Sequence, residues 1–290
     1  MSEIVSACPL CTSPRSRLFD QRQFHGLEVM NRLCLHCGLV YQSPRMTEAE
    51  SAAFYANEYR VLQEGSRDPT LRNMTAQKER ASLMLEFIRP VVPAVIRHVD
   101  IGCSLGILLQ TVSRAYQDQA VGVEPGEAHR LAAAKAGLLV FPSLEELEKS
   151  GQARFDLVSL SHVLEHLYNP VEYLTHLRES LMTPDGWLLL EVPNLYSHDS
   201  FEVAHLFAFS PHTLREVLAR SGFEIVRFKQ HGRPNSAILP LYLTLLCHPA
   251  AHVELQPVRP EHFVTLKRRS GFLWRWILSK LLPARAWLNA

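Results

Sequence analysis

The 290-residue sequence has no long apolar run, no basic leader and almost no net charge. A membrane-crossing helix needs roughly 18 to 20 consecutive apolar residues. The nearest stretch, AILPLYLTLLC, is short and carries Pro240, so no transmembrane segment is predicted. The amino terminus, MSEIVSACPLC, lacks the basic region and apolar core of a secretory signal. That predicts a cytoplasmic, reducing setting in which cysteines are thiols or metal ligands. A net charge of +1 gives no bulk attraction for nucleic acid, and none is expected as a partner. Within residues 1–45, Arg15, Arg17, Arg22, Arg32 and Arg45 face Glu3, Asp20 and Glu28, too small an excess for a set of clustered phosphate contacts. What remains is an ordinary globular composition, 47% hydrophobic, with room for one full domain and a small extra module.

Cysteine is scarce as well, but four of the six fall in the first 37 residues, as Cys8-Pro-Leu-Cys11 and Cys34-Leu-His-Cys37 with 22 residues between the pairs. Thiolates three positions apart converge on one ion while the turn's N–H groups bond the sulfurs, and four of them complete a tetrahedral zinc site. His36 could replace a ligand, though the four cysteines suffice. Buried free thiols or a redox pair are the competing reading, and two matched knuckles favour zinc. So short a module buries little core, so a metal is expected to supply most of its folding energy in a structural or recognition role.

Beyond Ser43-Pro44-Arg45, TEAESAAFYANEYR reads as a helix with a Thr/Glu start, and residues 70–89 as a second helix ending before Pro90. Tyr55 and Tyr59 share a face of the first, for packing or for lining a pocket. From residue 95 strands and helices alternate: VIRHVDIG, AVGVEP, LLVFP, FDLVSLS, GWLLLEVPN and FEIVRFKQH are strands, separated by helical segments. The prediction is an α/β fold, a doubly wound Rossmann-like parallel sheet with helices on both faces and ligands beyond the carboxyl ends of its strands. The expected organisation is a zinc ribbon over 1–45, a helical linker or lid over 46–92, the α/β domain over 93–235 and an apolar, basic C-terminal extension over 236–290.

The first strand-to-helix turn, Asp100-Ile-Gly102-Cys103-Ser104-Leu-Gly106, has glycines that let backbone approach a ligand, and an acidic residue ahead of them. It is neither the dinucleotide fingerprint, which needs glycine where Ser104 stands, nor a phosphate loop, which needs Lys-Ser/Thr. A carboxylate there suits a cationic group. Glu124, ending the next strand, is placed to accept both hydroxyls of a ribose. Ribose plus a cation describes S-adenosylmethionine.

VDIGCSLGILLQ, VGVEP, FDLVSLSHVLEHLYNPVEYL and LMTPDGWLLLEVPN, in that order, resemble the motifs of class I S-adenosylmethionine-dependent methyltransferases over about residues 95–230. With the four-cysteine module and GLVYQSPR ahead of it, the chain is similar to zinc-ribbon methyltransferases of bacterial sugar, polysaccharide and secondary-metabolite pathways, including deoxysugar C-methyltransferases. The resemblance implies that Asp100, Gly102, Cys103 and Gly106 surround the methionine moiety and that Glu124 holds the ribose. It also implies that Ser143 and Leu144 lie at the adenine and that Ser161 lies beside the cofactor. Ser104 replaces a loop glycine and no aspartate stands at the adenine turn, two departures from the commonest pattern.

After FDLVSLS comes His162-Val-Leu-Glu165-His166, at the predicted mouth. In a helix these three polar residues share a face, and His205 lies in a later loop able to fold over them. Three readings stay open: a polar helix start, acceptor deprotonation by His166, His162 or His205, or a second divalent-cation site built from His162, Glu165, His166 and His205. The last is similar to the Glu-x-x-Glu-His plus distant histidine of small-RNA 2'-O-methyltransferases and ubiquinone-pathway O-methyltransferases, with His162 in place of the first glutamate. Residues 263–290 contain six Lys or Arg, no acidic residue and three tryptophans, which predicts an amphipathic tail docked on protein or in peripheral contact with an anionic membrane. The expected activity is methylation, at oxygen or carbon, of a small-molecule or glycan acceptor such as a sugar or polysaccharide precursor. One alternative is metal-assisted O-methylation of a diol, catechol or lipid-linked acceptor; another is a noncatalytic zinc-ribbon adaptor.

Overall fold

The computed structural model describes residues 2–57, 71–252 and 256–288. The amino-terminal module is an antiparallel ribbon of β1 (Ser16–Phe24), β2 (Leu27–Cys34) and β3 (Val40–Gln42). Its hairpin turn at His25-Gly26 puts both residues at positive φ, a conformation glycine adopts without steric cost. The ribbon does not end at residue 45. A two-residue strand from much later in the chain, β9 (Phe207–Ala208), pairs with β3 as its fourth strand.

The large domain is a seven-stranded sheet. Its parallel part is β6 (Leu139–Phe141), β5 (Gln119–Val123), β4 (Arg97–Ile101), β7 (Phe155–Ser161) and β8 (Met182–Pro193), in that spatial order. Beyond β8 come β11 (Tyr242–Pro249) and then β10 (Phe223–His231), with β11 antiparallel to both neighbours. Tyr242–Pro249 falls in the segment assigned above to a C-terminal extension; it lies inside the sheet, so the sheet is mostly rather than wholly parallel.

Strands covered on both faces read as continuous apolar runs, and FDLVSLS and WLLLEV are such runs. Their side chains alternate between two cores. Leu157, Leu189 and Leu246 face α2 (Leu71–Ile88) and α3 (Ile107–Tyr116), which bring Ala81, Met84, Ile88, Leu108 and Val112. Val158, Leu160, Leu188 and Leu190 face α6 (Pro170–His176) and α7 (Pro211–Arg220). Both of these helices start as their sequences dictate. Asn169 caps α6 with Pro170 in its first turn, and Ser210 and Thr213 form a reciprocal capping box at α7. Two shorter helices, α4 (Glu127–Lys135) and α5 (Leu144–Lys149), flank the β5–β6 edge. The linker contributes α1 (Glu48–Asn57) as well as α2. The Tyr55 and Tyr59 side chains lie outside the described residues.

The tail forms α8 (Val264–Leu281) and a short α9 (Pro283–Ala286), docked on the domain. Arg268 donates to the carbonyls of Leu195 and His198, and Arg275 to that of Ser197 at 3.0 Å. Gly271 sits where a Cβ would run into the Tyr196 backbone. A glycine and two inward arginines therefore seat the helix on the loop after β8.

Candidate active site

The residues assigned above to the cofactor lie at or beyond the carboxyl ends of β4, β5, β6 and β7. Asp100 ends its strand 3% exposed, and its carboxylate accepts from the Ser159 hydroxyl at 2.6 Å. Ser159 also lies 2.8 Å from His98 Nε2, one residue pair further down the same face. Burial pushes the Asp100 carboxyl up to about 7, against the pull of the Ser159 hydrogen bond and with the repulsion of Glu124. Gly102 and Gly106 both have positive φ, and a Cβ on either would collide, with Val163 at 2.5 Å in the first case and with Leu138 in the second. The turn can be built only without side chains at these positions. Glu124, also buried, accepts from the N–H groups of Ser104 and Gly126, each at 2.8 Å, and so braces the first turn against the second. The Cys103 thiol is buried beneath the turn, packed against Gly122. Ser143 accepts from the Glu146 N–H as the cap of α5, of which Leu144 is the first residue. Ser161 is the last residue of β7.

The HVLEH segment is not a helix face. His162 sits at φ 56°, and only Leu164–His166 make a single 3-10 turn. This sharp reversal brings Glu165 and His166 toward His205 and leaves His162 between Glu165 and Glu191. Glu165, His166 and His205 each offer a ligand atom within 4.8 Å of the others. The two rings meet edge-on with centroids 4.6 Å apart. In each histidine Nδ1 is committed to a backbone carbonyl, Ala204 at 3.0 Å for His166 and Ser200 at 2.7 Å for His205. That fixes the tautomer with the lone pair on Nε2, as in metal-ligating imidazoles. His205 Nε2 then faces the Glu202 carboxylate at 3.0 Å, two acceptors head to head, an arrangement relieved by a proton or a cation between them. Burial pushes His166 down to about 4 and His205 also below the ordinary imidazole range, so both favour the neutral form. Glu165 is 1% exposed, and neither of its oxygens makes a hydrogen bond.

His162 does not join this group of three. Its Nδ1 lies 3.3 Å from Glu165, but its Nε2 lies 3.4 Å from Glu191, on β8. Burial and Arg80 oppose protonation, yet the two flanking carboxylates outweigh them and raise its pKa. Both ring nitrogens of His162 therefore face carboxylates, which orients the ring between the turn after β7 and β8.

Glu191 is the residue that sequence reasoning missed. It is fully buried and accepts from Arg80 Nε at 2.8 Å and from the Thr244 hydroxyl at 2.7 Å, with His231 Nε2 at 3.2 Å. Burial alone would raise its pKa; His162, His231 and Arg80 together hold the carboxyl well below the usual range. Arg80 comes from α2, as does Gln77, which donates to the Ser104 hydroxyl at 3.3 Å. The helix assigned to the linker thus touches both the cofactor turn and the mouth. Tyr242 completes the wall, its ring 5.3 Å from that of His162, 5.5 Å from His198 and 5.8 Å from His231.

The ribbon reaches this mouth. β9 follows His205 directly, Gln42 N donates to Leu206 O at 2.8 Å, and Leu206 N donates to Glu165 O at 2.8 Å. The loop carrying His205 is therefore pinned between the ribbon and the turn carrying Glu165. At the ribbon's far end Cys8, Cys11, Cys34 and Cys37 bring their sulfurs within 4.8 Å of one another, all as free thiols. Hydrogen bonding from Cys37 and Cys8 pulls the Cys34 thiol well below its ordinary range, and the same sharing pushes Cys8 up to about 12.

The model of a methyltransferase domain matches residues 72–227, more than half of the chain. This chain belongs to the methyltransferase-domain family. Its fold is that of the class I S-adenosylmethionine-dependent methyltransferases. An N-methyltransferase for 1,6-didemethyltoxoflavin from Burkholderia thailandensis, solved with S-adenosylhomocysteine bound, has a TM-score of 0.54 at 17% identity and covers 73% of this chain and 96% of its own. Magnesium protoporphyrin IX methyltransferase from Synechocystis PCC 6803, also with S-adenosylhomocysteine, has a TM-score of 0.50 at 13% identity, covering 70% and 100%. In sequence, a ubiquinone biosynthesis O-methyltransferase from Cereibacter sphaeroides is 34% identical over 106 residues, 34% of this methyltransferase-domain chain and 42% of the relative's length.

Proposed function

We propose that this chain transfers a methyl group from S-adenosylmethionine to a hydroxyl oxygen of a small-molecule acceptor with adjacent hydroxyls, beside a divalent cation held by Glu165, His166 and His205. The observation that carries this reading is the convergence of one carboxylate and two imidazoles within 4.8 Å at the mouth. Two imidazoles with a carboxylate suit manganese, iron or zinc better than magnesium, and such a cation, when bound, lowers the pKa of a coordinated hydroxyl. Sugar and catechol rings both present the required pair of oxygens, so the sugar or glycan precursor anticipated from the sequence stays within the acceptor class. The Cereibacter relative's name supports oxygen over carbon as the methylated atom.

The chain's own residues do the rest. Gly102 and Gly106 admit the cofactor against the backbone, Asp100 faces its cationic group, and Glu124 takes the ribose hydroxyls. His162, its ring nitrogens facing Glu165 and Glu191, orients the Glu165 carboxylate at the mouth, while Tyr242, His198 and Arg80 wall the mouth and limit water. Four converging thiols, three buried and that of Cys11 half-buried, fit a structural zinc ion, and β3 would carry the ribbon's order to the His205 loop. A panel of labelled-methyl acceptors tests the assignment. Vicinal diols should be methylated in the presence of manganese, and their single-hydroxyl analogues far less. Equal turnover of both, or turnover only at carbon, would contradict it.

The cofactor site should also be pH-dependent. A carboxyl raised from 3.8 to about 7 keeps its proton more tightly in the folded chain, so its contribution favours the fold in acid and is lost as pH rises toward 7. Binding a cationic group acts in the opposite direction, because it selects the carboxylate. Cofactor affinity should therefore fall below pH 7, approaching about tenfold per unit. Binding near pH 6 should release a proton, seen as a heat that changes with the ionisation enthalpy of the buffer. Asp100→Asn should abolish that dependence.

A further inference from the structure

We propose that the outward face of α8 is a binding surface for an anionic lipid bilayer. The inward face is spent on the domain, where Arg268, Gly271 and Arg275 seat the helix on residues 195–198. The opposite face carries Leu266, Leu273, Trp274 and Trp276, which are 62%, 59%, 57% and 60% exposed, with Phe263 and Leu281 at its ends at 76% and 72%. At 100° per residue Leu266, Leu273, Ile277 and Leu281 form the centre of this face. Arg269 and Lys280 run along one edge with Trp276, and Lys267 lies at the other. An apolar centre with tryptophan and cationic edges is the profile of a helix lying in the plane of a membrane surface. The apolar side chains enter the acyl boundary while the charged ends reach the headgroups.

The charge pattern selects among occupants. Residues 263–290 hold no acidic residue; of their six cations Arg268 and Arg275 face the domain and Lys267 pairs with Glu261 at 2.9 Å, which leaves Arg269 and Lys280 as the outward charges of α8. In an antiparallel twofold contact with a second copy, Arg269 of each copy would lie near Lys280 of the other, with no carboxylate on the face to pair them. An anionic bilayer supplies that counter-charge. No helix among the described residues is long and apolar enough to cross a membrane, which fits contact at the surface. The face also lies one loop from the mouth. The residues α8 grips include His198, whose ring stands 5.5 Å from Tyr242 in the wall of the candidate active site. A chain resting on this face holds that mouth close to the headgroups.

Flotation of the full-length protein with vesicles decides the matter. The chain should rise with vesicles of equal parts phosphatidylglycerol and phosphatidylcholine, stay behind with phosphatidylcholine alone, and be released by high salt. Arg269→Glu with Lys280→Glu should lower the bound fraction at least about tenfold. Trp274→Ala with Trp276→Ala should do the same without altering the melting temperature or the affinity for S-adenosylhomocysteine. Tryptophan emission should shift to the blue on the anionic vesicles and not in the doubly Trp-substituted chain. Recovery in the soluble fraction with both vesicle types would overturn the proposal, as would equal flotation with neutral vesicles or no loss in the charge-reversed chain. A concentration-dependent dimer abolished by the tryptophan substitutions, with no flotation, would assign the face to a second copy instead.

Discussion

Glu165→Gln is expected to lower methyl-transfer turnover by about a hundredfold or more while leaving the affinity for S-adenosylhomocysteine within a few-fold of the parent. The substitution keeps the side-chain volume and removes one charge from a site where no hydrogen bond to that carboxylate exists. Its effect should fall on what the carboxylate faces, the imidazoles of His162, His166 and His205. The cofactor turn is braced independently by Glu124 and should not feel the change. Single-turnover transfer of labelled methyl, with calorimetry of the product cofactor, separates the two effects. Loss of cofactor affinity in parallel with turnover would mean that Glu165 merely supports the fold, and unchanged turnover would remove the cluster from the chemistry.

Glu124→Ala should act in the complementary way, weakening cofactor affinity by about a hundredfold or more. Two interactions are lost together. The ribose loses its acceptor, and the N–H groups of Ser104 and Gly126 lose the carboxylate that ties the two turns at 2.8 Å each. Charge-assisted hydrogen bonds of this kind are each worth about 1.5–3 kcal/mol, so the unliganded chain should also melt earlier. Glu124→Gln, which retains an acceptor but not the charge, should fall between. A Glu124→Ala chain that binds the cofactor like its parent would contradict the placement of the ribose.

The parts of this architecture written in short windows were legible. Gly102 and Gly106 marked a close-packed turn, the spacing of four cysteines marked their convergence, and Ser210 marked a helix start. Features produced by packing between distant segments were not. Tyr242–Pro249 lacks the alternation of a half-buried strand because both of its faces are covered. The two residues of β9 are too few to show any period. His162, Glu165 and His166 were expected to share a helix face, with His205 in a later loop able to fold over them, and a cation site was one of three readings left open there. A left-handed residue at His162 replaced that geometry; histidine adopts positive φ more often than most non-glycine residues, but still too rarely for its type alone to place one there. Glu191 had a usable signal, a lone carboxylate within the apolar run WLLLEV, since a buried charge must be paired. Its partners Arg80, His231 and Thr244 come from three other elements, and only the fold assembles them.

The most direct test of the central claim is titration of manganese(II) into protein carrying one equivalent of zinc, enough for the four-thiol site alone, followed by electron paramagnetic resonance, for the parent chain and for Glu165→Gln. The account predicts one tightly held manganese ion per parent chain, still bound with S-adenosylhomocysteine present and absent from the variant. A parent chain that leaves all of the manganese free, or a variant that binds it as well as the parent, would contradict the account.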